Sequence, residues 1–288
     1  MGVRRAVEMA WREGADPNAP LPGRQVFTLG PLIHNPLVLK SLKERRVNVL
    51  EPDGIPAADK SSTVIIRAHG VPPNEETALR QQGVCILDAT CPHVKESQVK
   101  AYDFAKKGYR IFLAGEENHA EISGILGYAS AAPALSSKIS SCFVVANPQE
   151  AEKAALELSR TEPNAKTVLI GQTTISTGEY RAIGERLRQF FPNLEIVDTI
   201  CSATADRQKA LARLCDQVDA VIIAGGRESA NTRRLLTLAR ELGKPAWITE
   251  TPEDLPFEIR TYETVGLSAG ASTPDSLISE IEKALSKQ

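Results

Sequence analysis

The sequence predicts an α/β protein in which like lobes surround a shared centre, and three observations carry that reading. Apolar runs of strand length alternate with helix-period segments almost throughout, which implies parallel sheets covered by helices. Two near-identical turns, Asp88-Ala89-Thr90-Cys91 and Asp198-Thr199-Ile200-Cys201, stand about a third of the chain apart. Arg67-Ala68-His69-Gly70 and Ser268-Ala269-Gly270-Ala271 each end a strand-like run and lead into a proline-headed helix. Irregular spacing excludes a solenoid. A chain of 288 residues has room for two or three domains.

Taken in order, Met1 to Gly14 reads as an amphipathic helix. Strands are expected at Val26–Leu29, Thr63–Arg67, Val84–Leu87, Arg110–Ala114, Cys142–Ala146, Thr167–Ile170, Glu195–Val197, Ala220–Ala224, Pro245–Ile248 and Thr264–Leu267. Helices are expected at Glu75–Gln82, Val94–Lys107, Gln149–Ser159, Gly178–Phe191, Ala203–Gln217 and Thr232–Leu242. Ala129–Ser141, rich in Ala, Ser and Pro, reads as an exposed insertion. In sheets of this kind ligands bind at the carboxyl ends of the strands, and most of the unusual residues fall there.

Composition narrows the function. The hydrophobic share of 42%, the charged share of 24% and the net charge of −2 are ordinary for a globular protein. They give no electrostatic case for nucleic acid or a membrane surface. No apolar run approaches the ~20 residues that span a bilayer. The acidic residues Glu8 and Glu13 speak against a transit peptide, and no signal peptide is evident, so a cytoplasmic location is expected. Five cysteines in no dense framework suit a reducing compartment and thiol or metal chemistry.

Cys91 and Cys201 each open a helix-like run. A cysteine there faces the positive end of the helix dipole, which favours the metal-binding thiolate; the plainer alternative is a small hydrophobe at a strand end. Cys85, Cys142 and Cys215 lie inside apolar runs and read as core. His34, His69 and His119 each sit in a strand-to-helix turn, where imidazole and backbone N–H groups can hold a phosphate. Zinc ligation is the alternative, although the paired spacing of common zinc sites is missing. Glu121 is a candidate proton donor, or else a solvated helix-start charge. Gln172-Thr173-Thr174, Ser229-Ala230-Asn231 and Ser272 are small polar turns able to bind oxygen, or to cap helices. No Walker loop, G-x-G-x-x-G, H-E-x-x-H or nucleophile elbow is present.

Taken together, these segments resemble the 4-hydroxy-3-methylbut-2-enyl diphosphate reductases. The matching stretches are Gly2-Val3-Arg4-Arg5-Ala6, Leu32-Ile33-His34-Asn35, Ala68-His69-Gly70-Val71, Asp88-Ala89-Thr90-Cys91-Pro92, His119-x-Glu121, Gln172-Thr173-Thr174, Ile200-Cys201-x-Ala203-Thr204-x-Asp206-Arg207-Gln208, Ser229-x-Asn231-Thr232 and Ala269-Gly270-Ala271-Ser272. Singly they are modest; as an ordered set they are highly specific. The resemblance implies a trefoil of three α/β lobes, divided at residues 1–91, 92–197 and 198–288. It implies a 4Fe–4S cluster held by three cysteines, two of them Cys91 and Cys201, whose fourth iron takes the substrate hydroxyl. His34, His69, His119, Thr173, Ser229, Asn231 and Ser272 would bind substrate, with Glu121 and Thr173 catalytic. The implied reaction is reductive dehydroxylation to isopentenyl and dimethylallyl diphosphates, fed by a ferredoxin or flavodoxin-type donor. Arg67 is the one cation that the sequence places near the diphosphate.

Three departures stand out. Ala120 replaces the proline usual between His119 and Glu121, which is expected to loosen the turn. Ala230 replaces a frequent serine. In the family, a strand and a Gly-Phe-Cys segment precede the position of Met1, and that cysteine is the first cluster ligand. The expectation is a coding start placed at an internal methionine, with a central strand of the first lobe lost and a sheet edge exposed. The competing reading is a cluster-free diphosphate-binding relative; an α/β protein with neither activity is the third.

Overall fold

The computed structural model describes residues 2–14, 25–33, 35–51, 55, 60–133 and 142–286. The chain opens with helix α1 (Gly2–Glu13), then strand β1 (Val26–Leu29), α2 (Pro36–Glu44), β2 (Val47–Leu50), β3 (Thr63–Ile66), α3 (Pro73–Gln82) and β4 (Cys85–Asp88). A second run follows: α4 (Pro92–Lys106), β5 (Arg110–Ala114), α5 (Ala120–Ser130), β6 (Cys142–Val145), α6 (Pro148–Thr161), β7 (Thr167–Gly171), α7 (Thr177–Arg188) and β8 (Glu195–Ile196). The third comprises α8 (Ser202–Cys215), β9 (Ala220–Ala224), α9 (Ala230–Glu241), β10 (Ala246–Thr249), β11 (Val265–Ala269) and α10 (Asp275–Leu285).

The strands form three wholly parallel sheets with orders β2-β1-β3-β4, β6-β5-β7-β8 and β10-β9-β11. One topology recurs: the first strand is central, the second pairs on one side and the third on the other. The crevice where the strand order reverses therefore appears three times, and such crevices at strand carboxyl ends are where ligands bind. The trefoil α/β fold expected from the sequence is the fold observed. The central strands are buried along their length, as Thr63–Ile66, Arg110–Ala114 and Ala220–Ala224 show, apart from the partly exposed Arg110. Each sheet has an apolar cluster on both faces: Leu32, Leu42 and Ile65 against Leu29, Ile66 and Leu79 in the first, Phe112, Leu169 and Ile183 against Leu113, Ile125 and Ile170 in the second, and Ile223 and Leu235 against Ile222 and Ile281 in the third. Parallel sheets need such two-sided cover.

Several expectations need correction. Strand β2 is absent from the predicted elements: its burial runs in–out–out–in, and Arg46 before it takes a left-handed φ of 63°, so no alternation shows. Helices α2 and α5 follow turns identified in the sequence. Helix α2 is only nine residues long, and α5 carries Gly124 and Gly127 within a mostly apolar run, so neither shows an extended helical period. Those glycines let neighbours approach closely: a Cβ at Gly127 would lie 2.6 Å from Pro72 and one at Gly124 2.8 Å from the Gln98 amide. Ala129 and Ser130 belong to α5, with Ala129 buried, rather than to an exposed insertion; residues 134–141 lie outside the described residues. Cys85 is exposed on the edge strand β4 rather than in the core; Cys215 is buried as expected, and Cys142 is only half-buried, at the edge of an apolar cluster. The first sheet matches the second strand for strand, so a first lobe short of a central strand is not found; the three-stranded sheet is the third.

No helix among the described residues is long and apolar enough to cross a membrane.

Candidate active site

The candidate residues leave the sheets at the carboxyl ends of strands, and short hydrogen bonds fix each turn to its neighbour. After β3, Gly70 turns the chain with φ +71°, donating its N–H to the Arg67 carbonyl at 3.0 Å. A side chain at that φ is strained, and a Cβ there would also overlap the Gln98 amide. The turn presents His69. After β4, the Asp88 carboxylate accepts the Thr90 N–H at 2.9 Å, and Cys91 donates its own N–H to the Ala68 carbonyl at 3.0 Å. Burial pushes the Asp88 carboxyl up, but the bonds from Thr90 and the nearby Lys95 ammonium outweigh it and leave the group below its ordinary range. From α1, Arg5 donates to the Asp88 and Thr90 carbonyls at 3.1 Å each. Helix α1 is thereby fastened to the turn that delivers Cys91, and a Cβ at Gly2 would overlap Cβ and Sγ of Cys91.

In the second sheet, His119 caps α5: its Nδ1 accepts the Glu121 N–H at 3.2 Å. That bond fixes Nδ1 as the acceptor and leaves the proton of a neutral ring on Nε2. The His119 N–H bonds the Glu116 carbonyl at 3.0 Å, so the turn is tied down with Ala120 in place of proline. After β7, Thr173 donates its N–H to Glu121 Oε1 at 2.6 Å and its hydroxyl to Oε2 at 2.9 Å. Glu121 is 1% exposed. Burial raises its pKa to about 7, against the opposing pull of the two Thr173 bonds and the Arg234 charge. After β8, Thr199 exchanges hydrogen bonds with both backbone groups of Gly171, and Cys201 donates its N–H to the Thr173 carbonyl at 3.1 Å.

In the third sheet, Ser229 caps α9 through the Thr232 N–H at 3.4 Å. Both polar atoms of the Asn231 amide, the Thr232 hydroxyl and the Ser272 hydroxyl are buried without a hydrogen-bond partner among the described residues. Leaving such groups unmet costs about 1–3 kcal/mol each, and in native proteins they are met by water or a ligand. The Ser272 carbonyl accepts from Asn35 Nδ2 at 3.2 Å, which closes the third lobe onto the first.

These turns converge. One cavity of about 670 Å³ is walled by Cys91, Cys201, His69, Glu121, Thr173 and Gly270. His119 stands beside it, its ring edge-on to that of His69 with centroids 5.3 Å apart, so imidazoles from two lobes meet. Ser229, Asn231 and Ser272 do not line this cavity; they reach its edge through Thr232, whose N–H bonds Ser229 and whose hydroxyl a Cβ at Gly270 would overlap. His34 lies outside the described residues. Arg67 is not the cation of the site: its Nε turns back to the Gly70 carbonyl at 3.4 Å, and burial lowers its pKa against the raising effect of Glu75 and Glu51. The cavity cations are Arg4 and Arg207. Arg207 belongs to the Ala203-Thr204-x-Asp206-Arg207-Gln208 stretch, where its spacing does not distinguish it from a helix-surface charge. Among the described residues no three His, Cys, Asp or Glu side chains converge as a metal-binding group; the two thiols do share the cavity.

Two of the three parallel sheets bring two thiols, an imidazole and a buried carboxyl to one cavity, which the third sheet closes with Leu267–Gly270; this defines an α/β enzyme with a shared central site. The profile of the LytB protein family matches residues 1–286, and the chain belongs to that family. The 4-hydroxy-3-methylbut-2-enyl diphosphate reductase of Treponema denticola is 40% identical over 99% of this chain and 94% of its own length. That of Aquifex aeolicus is 36% identical over 98% and 90%. Among solved structures, the E-1-hydroxy-2-methyl-but-2-enyl-4-diphosphate reductase from Plasmodium falciparum superposes with a TM-score of 0.85 at 26% identity, covering 98% of this chain and 83% of that one. A structure of (E)-4-hydroxy-3-methyl-but-2-enyl diphosphate reductase, described as the terminal enzyme of the non-mevalonate pathway, gives a TM-score of 0.67 at 34% identity, with 100% and 95% covered.

Proposed function

We propose that the central cavity reduces 4-hydroxy-3-methylbut-2-enyl diphosphate, with Cys91 and Cys201 as iron–sulfur ligands, Glu121 as proton donor, and His69, His119, Ser229, Asn231 and Ser272 around the diphosphate. The chain is a reductase of the non-mevalonate route to isoprenoids, as its relatives are named, and the cluster-free reading is not favoured. The observation that carries the site assignment is the convergence of Cys91, Cys201, His69 and Glu121, from two sheets, on one cavity.

Cys91 and Cys201 each cap a helix and open into the cavity together. They fit two corners of a cluster held by cysteine thiolates; a third protein ligand is not among the described residues. When bound, the cluster would supply two electrons and a Lewis-acidic iron for the hydroxyl oxygen. Two electrons and two protons then replace the hydroxyl by hydrogen and release water. The donor would be of ferredoxin or flavodoxin type. Glu121 holds its proton up to about pH 7, which suits delivery to an oxygen that leaves as water. Thr173 holds both carboxyl oxygens and so sets the direction of that proton. Imidazole, hydroxyl and amide donors meet the diphosphate, and the unmet groups of Asn231 and Ser272 gain partners there. His34 extends the set by resemblance.

The test is anaerobic reconstitution with iron and sulfide of the chain expressed from Met1 and, separately, with its upstream codons. A brown protein that turns over the allylic diphosphate supports the reading, with loss of bound iron in Cys91→Ser and Cys201→Ser. A colourless protein in both forms that binds the diphosphate without turnover overturns it.

A further inference from the structure

A second polar cluster lies at the seam of the second and third lobes, outside the cavity. Glu116, in the β5–α5 turn, points its carboxylate at α9: Oε2 is 2.6 Å from Arg233 and Oε1 is 3.6 Å from Arg234. Arg234 also reaches Glu179 of α7 at 2.6 Å, and its side chain is only 14% exposed. Its Nε is buried without a hydrogen bond among the described residues. On the other side, Glu116 is built into the site turn. Its N–H goes to the Gln172 side chain at 3.0 Å, and its carbonyl takes the His119 N–H at 3.0 Å. Gln172 precedes Thr173, and its amide bonds Thr174 at 2.9 Å. Helix α9, for its part, carries Ser229 as cap and Asn231 in its first turn. One carboxylate thus joins the anion-facing helix of one lobe to the turn that presents His119 and Glu121 from another.

We infer that Arg234, together with Arg233, is a positioning residue for the reduction: Arg233 bonds Glu116 and Arg234 braces the same carboxylate against Glu179 of α7, which locks the His119–Glu121 turn to helix α9, so that the diphosphate grip and the proton donor keep one fixed separation. The inference rests on the reading of Glu121 as proton donor. A site of this kind loses rate when its parts shift by about 1 Å, even if each part is intact. Arg234 also bears on Glu121 electrostatically, since its charge favours the ionised carboxyl. The other titratable or charged groups that line the cavity with Glu121 are His69, Cys91, Cys201, Arg4, Arg207 and Asp275, with His119 beside it.

The experiment compares wild type, Arg234→Met, Arg234→Lys, Glu116→Gln and Glu121→Gln as reconstituted enzymes, with kcat, KM and the pH profile of each. Inorganic pyrophosphate binding is measured by calorimetry on the same proteins without turnover. Arg234→Met should lower kcat about tenfold while KM and pyrophosphate affinity change by less than about threefold, because orientation is lost rather than binding. The alkaline limb of activity should move up, a direction that simple loosening of the fold does not produce. Glu116→Gln should reproduce the fall in kcat, and Arg234→Lys should recover most of it. If Arg234→Met and Glu116→Gln keep kcat within about twofold with the limb unmoved, while Glu121→Gln is inactive, the clamp is wrong and the proton donor stands. If Glu121→Gln is fully active, the proton-donor reading falls and this inference falls with it.

Discussion

Thr173 grips both oxygens of the Glu121 carboxyl, with its backbone N–H at 2.6 Å from one and its hydroxyl at 2.9 Å from the other. The carboxyl belongs to α5 and its holder to the turn after β7, and the pair is buried. The acid is therefore aimed by a neighbouring strand end rather than by its own helix.

Activity should fall as pH rises through about 7, where Glu121 loses its proton. Glu121→Gln should cut turnover by about a hundredfold or more and abolish that limb. A steady-state pH series on both proteins measures it, and an unchanged limb in the variant would count against the assignment.

The same substitution should stabilise the protein at alkaline pH. An unfolded carboxyl ionises near 4.5 and the folded one near 7. The folded state is thus favoured by the shift at low pH, and that advantage drains away between the two values as the unfolded chain ionises first. Thermal melts of Glu121→Gln should gain on wild type by a few kcal/mol at pH 8 relative to pH 4.

Thr173→Val removes the hydroxyl bond to the ionised carboxylate and keeps the backbone one. The Glu121 pKa should rise, moving the alkaline limb upward, and kcat should drop about tenfold through lost orientation. A limb displaced to lower pH would contradict the role given to the hydroxyl.

Gly2→Ala places a methyl group on Cys91. Either α1 or the Cys91 turn must give, at about 1–3 kcal/mol for an overpacked contact. Urea unfolding should show that loss, and maleimide labelling of Cys91 in the apo protein should change its rate.

Asn35→Ala strips the cap from α2, where the Asn35 side chain accepts from Leu37 and Val38 at 3.1 and 3.2 Å, and it cuts the tie to Ser272. A cost of about 1–2 kcal/mol is expected in urea melts. A change below about 0.5 kcal/mol would show that the first and third lobes are joined by other contacts.

Legibility in the sequence tracked how much of each feature is local. Cys91 and Cys201 could be read because a strand end, an Asp-x-x-Cys turn and a helix start are all contiguous. His119 and Glu121 could be read for the same reason. Strand β2 could not, because two arginines and an in–out–out–in burial pattern hide its period. Arg67 misled because sequence adjacency to His69 says nothing of where a long side chain turns; it folds back on Gly70. Arg4 and Arg207 line the cavity only through the way the lobes meet. The Glu116–Arg234 contact spans well over a hundred positions and left no mark in the sequence.

The Asn35 to Ser272 hydrogen bond joins residues 237 positions apart, and it has a consequence for biosynthesis. A chain emerging from the ribosome has both of its first two sheets before the acceptor of that bond, the Ser272 carbonyl, is made. Until β11 and the turn after it are made, the cavity lacks the wall that Leu267–Gly270 supply. The chamber that would hold an inorganic group is therefore complete only once β11 has been translated.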